Sequence, residues 1–155
     1  MRSGELLALT GNDIDLQTKV VNINKTYVRL KGVDLIQEPK TPKSKRKVTI
    51  PTFMAEIIEE YIDMLVDYNP NDRLFEVTRG YLTCEMKRGF KRSGVKKIRV
   101  HDLRHSHASL LIEMGFSPLL ISERLGHEEI QTTLQTYSHL YPNKQYEVSD
   151  KLEQL

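Results

Sequence analysis

Tyr137 stands ten residues after His127 in LGHEEIQTTLQTYSHL, and the earlier segment HDLRHSHASLLIEM carries His101 and Arg104. With Arg2 near the start and Lys40 in a lysine-rich turn, these residues form a set suited to phosphoryl transfer. Arginine's planar fork matches two phosphate oxygens, so Arg2 and Arg104 together can hold a phosphodiester and its extra transition-state charge without a metal. A tyrosine hydroxyl can be the nucleophile. Its ordinary pKa is about 10, so ionising it at neutral pH costs roughly 4 kcal/mol, which a base and nearby cations must offset. His101 can take that proton, and Lys40, a mobile point charge, can supply one to a leaving sugar oxygen. Taken singly, each residue has a plainer explanation: Tyr137 at a core edge, Arg104 in a surface ion pair, His105 or His107 as a satisfied, half-buried ring. His101 and His105 at i and i+4 also permit a metal reading, weakened because Asp102 stands where a HExxH site needs Glu.

These side chains must be brought together by elements far apart in the chain. Ser3 is placed to cap a short helix over GELLALTG, with Glu5 in its first turn and Gly11 past its end. The alternating, Val/Ile/Thr-rich stretch VVNINKTYVRLKGVDLIQEPKTPKSKRKVTIP predicts two or three antiparallel strands with a turn at Lys40 to Lys45, where Pro39 and Pro42 exclude a sheet interior. Met54, Ile57, Ile58, Tyr61, Ile62 and Leu65 recur at helical spacing over 52–67, and a second helix is expected over 79–92. From His101 the chain reads as helices punctuated by Gly115, by Ser117 followed by Pro118, by Gly126 and by Pro142. On the first of these, His101, Arg104, His105 and Ala108 share one face, with Leu103, Leu110 and Met114 opposite as the expected core face. The fold class is therefore α+β: a small antiparallel three-stranded sheet near the N-terminus followed by a mostly helical body.

Composition narrows the function. The chain has 155 residues, 28% of them charged, and a single cysteine, Cys84. That excludes an internal disulfide scaffold and a four-cysteine zinc module. No apolar run approaches a membrane span, so a soluble, cytoplasmic protein is expected. The formal charge of +2 conceals a strong polarity. Residues 37–51 and 86–104 together hold thirteen Lys/Arg and two acids, whereas the rest holds ten and nineteen. A basic strip on an acidic body points to a polyanion, because phosphate contacts release counterions and dominate nucleic-acid affinity. Lys43, Lys45, Arg46, Lys87, Arg88, Lys91, Arg92, Lys96 and Lys97 are the candidate DNA-contacting residues.

In this order of motifs the sequence resembles the catalytic domain of tyrosine recombinases, the lambda-integrase-like phage and conjugative-transposon integrases. MRSGELLALTGNDID looks like the family's first-arginine box, with Arg2 as that arginine. The hairpin EPKTPKSKRKVTIP carries the lysine, assigned to Lys40 with Lys43 as the alternative. HDLRHSH resembles the His-x-x-Arg box, giving His101 and Arg104, and LGHEEIQTTLQTYSH supplies His127 and the nucleophile Tyr137. The resemblance implies DNA strand exchange by transesterification through a 3′-phosphotyrosine, needing neither ATP nor metal. Arg2, Arg104 and His127 would steady the nonbridging oxygens, His101 would move the tyrosine proton, and Lys40 would protonate the leaving 5′ oxygen. His105, His107 and His139 have no motif role and are left structural.

The resemblance also implies double-stranded DNA at attachment or core sites as partner, a tetramer on DNA held through the C-terminal tail, accessory DNA-bending proteins, and the cytoplasm of a bacterial host. Residues 1–142 are expected to be the catalytic domain, without the family's N-terminal clamp and first helix, and 143–155 a docking tail. Competing readings are a catalytically dormant DNA-binding fragment, a type IB topoisomerase-like strand transferase, and a metal nuclease built on His101, His105 and His107.

Overall fold

A computed structural model describes residues 1–39, 41–141 and 152–153. The chain opens on a one-turn helix, α1 (Ser3–Leu6). Arg2, not Ser3, holds the capping position, because the Glu5 carboxylate accepts the Arg2 backbone N–H at 2.7 Å. The helix ends well short of the expected span, and Leu7, Ala8, Leu9 and Thr10 follow it straight into the interior.

Strands β1 (Ile14–Asp15), β2 (Val20–Ile23) and β5 (Arg46–Thr49) form the expected three-stranded antiparallel sheet, ordered β1-β2-β5, with Val21 opposite Val48 and Ile23 opposite Arg46. Two more strands, β3 (Thr26–Leu30) and β4 (Val33–Gln37), pair among the described residues only with each other. Lys31 and Gly32 between them have φ of 50° and 84°, the left-handed pair whose twist suits a two-residue hairpin turn, so this segment closes locally. The turn expected at Lys40 to Lys45 contains a 3-10 turn at Pro42–Ser44, while Lys40 itself lies outside the described residues.

Helix α2 (Thr52–Asp63) ends sooner than the pattern to residue 67 suggested, and α3 (Arg79–Ser93) follows as expected, closed by Gly94 at φ 71°. Then come α4 (Asp102–Glu113), α5 (Pro118–Leu125) and α6 (Ile130–Tyr137), the last continued by a 3-10 turn at Ser138–Leu140. Gly115 and Gly126 end their helices at φ 84° and 68°, and the Ser117 hydroxyl caps α5 by accepting from the Leu120 N–H. Among the described residues no helix is long and apolar enough to cross a membrane.

The face assigned to the core on α4 is reversed. Leu103, Leu110 and Met114 are more than half exposed, whereas Arg104, Ala108, Leu111 and Ile112 are buried. Ala108, Leu111 and Ile112 pack with Ile121, Leu125 and Tyr137 into one apolar cluster that joins α4, α5 and α6. Arg104 is drawn to the same side by a backbone carbonyl at the end of α5, so a polar residue marks the inner face. Two further clusters, Leu7, Ala8 and Tyr27, and Leu9, Val21 and Ile23, fix the segment after α1 against the strands.

The helical and strand halves meet at a buried ion pair. The Glu5 carboxylate accepts from Arg46 Nη2 at 2.9 Å and Nη1 at 3.3 Å, with the two side chains only 3% and 8% exposed. Burial works to raise the Glu5 carboxyl, but hydrogen bonds from Arg46 and Arg2 outweigh it and hold the pKa at about 2. Breaking such a pair from one side strands a buried charge, so Arg46→Ala should cost about 3–5 kcal/mol in urea denaturation. The carboxyl sits below its ordinary 4.5, so its contribution should be complete above that pH and fade as pH falls toward about 2. Glu5→Gln should flatten this part of the stability profile.

Candidate functional site

The site is organised by the C-terminal end of α5. Three successive carbonyls there each accept from an arginine: Arg124 O from Arg46 Nε at 2.9 Å, Leu125 O from Arg104 Nη2 at 2.6 Å, and Gly126 O from Arg2 Nη2 at 3.2 Å. A helix C-terminus leaves such carbonyls unpaired and carries partial negative charge, which is why cations collect on it. Gly126 makes the approach possible. A Cβ there would stand 2.7 Å from Arg46 Nη1, and its positive φ disfavours any side chain.

Arg2 is also held by Glu5, Nη1 to Oε1 at 2.8 Å, which orients its fork. Arg104 is held by less. It is 6% exposed, its Nη1 makes no hydrogen bond among the described residues, and no acid pairs with it there. Burial, with Arg2 and Arg46 alongside, pulls its pKa down to about 10, so it remains a cation at neutral pH. A buried cation with an orphaned donor, among like charges that Glu5 only partly neutralises, is a place for an anion.

His127 follows the helix-ending glycine, and its Nδ1 lies 2.7 Å from the hydroxyl of the fully buried Thr133 on α6. Burial first, then Arg104, Arg2 and Arg46, lowers its pKa to about 4. The ring is therefore neutral at physiological pH, with Nδ1 engaged by Thr133. Tyr137 closes α6. Its ring belongs to the α4–α5–α6 cluster and is only 4% exposed, and its hydroxyl lies 2.6 Å from His105 Nδ1. Burial raises the phenol pKa and Arg104 opposes this.

His101 sits exposed at the start of α4 with its ring edge-on to His105, the centroids 5.0 Å apart. Burial lowers its pKa, followed by the neighbouring His105, Arg104 and Arg99. The imidazole in contact with the phenol is thus His105, to which the sequence motifs assign no role, and not His101. No sequence signal beyond the shared helix face, i+4 from His101, marked it.

The structure therefore gathers Arg2, Arg104, His127, Tyr137 and His101 around the α5 end and the facing side of α4. Lys40 lies outside the described residues. The alternative, Lys43, donates from Nζ to the Glu128 carbonyl at 2.6 Å, which brings the hairpin tip beside His127. Lys43, Lys45, His127 and Glu128 line a groove of about 450 Å³ between them. Lys87, Arg88, Lys91, Arg92, Lys96 and Lys97 are all exposed along α3 and the segment after it.

Arg46 is a correction. The sequence places it among the candidate DNA-contacting cations, but its side chain is buried on Glu5 and the Arg124 carbonyl, so it builds the site from within. Sequence reasoning also passed over Glu5 beyond its helix-start role, Thr133, and Arg124, whose guanidinium reaches His107 Nε2 and Thr49 O. The three histidines of the metal reading diverge: His105 turns to Tyr137 and His107 to Arg124. Among the described residues no group of three His, Cys, Asp or Glu is placed to hold a metal.

The family model described as "Phage integrase family" matches residues 1–144, and the chain belongs to that family. It is 34% identical to the ICEBs1 integrase of Bacillus subtilis, covering 100% of this chain and 46% of that protein. It is 35% identical to an integrase of Staphylococcus phage L54a, covering 100% of this chain and 49% of that one. The chain thus spans about half the length of these relatives. Among solved structures, the Tn1549 transposon integrase in complex with transposon right end DNA shares the fold with a TM-score of 0.76 at 23% identity, over 100% of this chain and 55% of that one. The catalytic domain of bacteriophage HP1 integrase does so at 0.61 and 24% identity, over 97% and 73%.

Two outcomes follow from this geometry. Gly126→Ala should lower stability by about 1–2 kcal/mol through its left-handed backbone alone, and more as Arg46 is displaced, measured as a fall in thermal midpoint. NMR titration should show His127 protonating near pH 4, far below its ordinary 6.5. Since the unfolded ring binds its proton more readily, stability tied to His127 should be complete above pH 6.5 and fall as pH drops toward 4. Bound sulfate should shift that titration upward by offsetting the three arginines.

Proposed function

We propose that residues 1–142 form the catalytic domain of a site-specific DNA recombinase that cuts and rejoins strands through a 3′-phosphotyrosine, integrating or excising a mobile element. The observation that carries this reading is Arg104: a buried cation whose Nη1 has no partner among the described residues, fixed beside Arg2 and His127 in the same corner as a tyrosine hydroxyl. The scissile phosphate would enter there, with Arg104, Arg2 and a neutral His127 donating to its nonbridging oxygens. Thr133 supports that role for His127. If its hydroxyl donates to Nδ1, the ring proton resides on Nε2, where an anion can use it.

The Tyr137 oxygen would then form the new bond to phosphorus as the bond to the 5′ oxygen breaks. Lys40 would hand a proton to that oxygen, with Lys43 as the alternative. His101 at the rim would assist proton movement. Because Tyr137 is buried, with its ring in the α4–α5–α6 cluster, the phenol would have to become accessible to the phosphate on DNA binding. The reverse step, attack by another strand's 5′-hydroxyl, conserves the phosphoester, so the chemistry calls for neither ATP nor metal.

Duplex DNA at attachment or core sites would lie across the exposed cations Lys43, Lys45, Lys87, Arg88, Lys91, Arg92, Lys96 and Lys97. The same proposal includes assembly on DNA, up to a tetramer, through the 143–155 tail. All but Leu152 and Glu153 of that tail falls outside the described residues. Accessory DNA-bending proteins and the cytoplasm of a bacterial host complete it, in keeping with relatives that are bacterial and phage integrases.

A nicked suicide substrate should trap the chain covalently. Tyr137→Phe should abolish the adduct, and Arg104→Ala should slow its formation by roughly 10²–10³-fold, as for other lost oxyanion donors. Salt-sensitive DNA binding with no adduct would favour the dormant-binder reading. Replacing Lys91 and Arg92 with alanine should reduce the log–log salt slope of binding by about 2.

A further inference from the structure

Within the reaction proposed above, on which this inference rests, the base for the nucleophile is open to a structural answer. We infer that His105 is the residue that holds the Tyr137 hydroxyl and takes its proton as the phenol attacks phosphorus.

The contact is direct. His105 Nδ1 and Tyr137 Oη are 2.6 Å apart, a short hydrogen bond between α4 and α6. The rings lie with centroids 5.8 Å apart, tilted at 55°, so the nitrogen meets the hydroxyl edge-on and not the ring face. His101, the residue to which the motif order gives the proton, makes no hydrogen bond to the phenol; its ring stands edge-on to that of His105, with 5.0 Å between centroids. His105 has three further constraints that keep it in place. It occupies the interior of α4, its backbone carbonyl accepts the Ser109 hydroxyl at 3.1 Å, and its ring is flanked by His101.

The surroundings require such a base. Burial makes the phenol harder to ionise, and among the described cations Arg104 opposes this. A phosphate seated on Arg104 would neutralise much of that help. An imidazole nitrogen already touching the oxygen answers the need, and general-base assistance of this kind contributes about 10²–10⁴-fold.

The step balances. At the start His105 carries its proton on Nε2, and Nδ1 accepts from the phenol. As the Tyr137 oxygen bonds to phosphorus, its proton passes to Nδ1, giving imidazolium. The phosphorus–O5′ bond breaks, and that oxygen is protonated by the hairpin lysine. In rejoining, the 5′-hydroxyl returns its proton to the lysine and the departing phenolate recovers its own from His105.

The tests separate holding from proton transfer. His105→Asn can still hydrogen-bond the phenol from near the Nδ1 position but cannot take up a proton. It should leave DNA affinity roughly unchanged and slow single-turnover cleavage of the suicide substrate by about 10²-fold or more. The defect should persist on a substrate with sulfur in the 5′-bridging position, since a thiolate leaves without an acid. Loss of the defect on that substrate would make His105 a leaving-group acid and overturn the inference, as would wild-type cleavage by His105→Asn.

A measurement on the free chain needs no turnover and no altered His105. ¹⁵N spectra should show the His105 ring protonated on Nε2, with that preference relaxed in Tyr137→Phe. A proton resident on Nδ1 would overturn the assignment. Absence of any adduct from the unaltered chain bound to DNA would instead defeat the strand-cleavage reading, and this inference with it.

Discussion

Everything in the site depends on three consecutive carbonyl groups at the end of α5. Arg124, Leu125 and Gly126 turn their oxygens toward Arg46, Arg104 and Arg2, which arrive from a strand, a helix and the first residues of the chain. Each guanidinium alone would be an ordinary helix cap. Three on adjacent carbonyls create a density of positive charge that a single buried carboxylate, Glu5, only partly balances. Burial, reinforced by that imbalance, lowers His127 and weakens the hold of Arg104 on its own proton, and the imbalance marks where an anion fits. The apolar cluster of α4, α5 and α6 keeps the carbonyls in position, and it delivers Tyr137 to the same corner.

Much of this was legible beforehand, for local reasons. Glycine past a helix end, proline at a first turn and a capping serine are backbone requirements, and they marked α4, α5 and α6 closely. The motif residues Arg2, His101, Arg104, His127 and Tyr137 do converge. What was not legible depends on partners distant in sequence. The inner face of α4 was misread because Arg104 is buried by a carbonyl of another helix, a partner that leaves no periodicity. Arg46 looked like one more hairpin cation until Glu5, forty-one residues away, was seen beneath it. The separate β3–β4 ladder was missed because Lys31 is not a residue that announces a left-handed turn. His105 stayed unassigned because its meaning lies in one contact across two helices.

The two charge populations have different tasks. The cations of α3 and the hairpin tip remain solvated and act at long range, where salt screens them. Those at the end of α5 are removed from water and act over one hydrogen bond, where screening is weak. The hairpin links the populations: Lys43 reaches the carbonyl of Glu128, one residue from His127, which sets the outer cations at the rim of the inner ones.

The unpaired donor on Arg104 also bears on the fold's own robustness. Folding must desolvate that guanidinium and freeze a long side chain before any ligand arrives, and both cost free energy in the empty state. In exchange, an anion arriving at Arg104 would meet a donor already in place. An apolar residue of similar bulk at 104 would relieve the interior and yield a hardier, inert molecule, so thermal toughness and chemical competence pull in opposite directions at this one position.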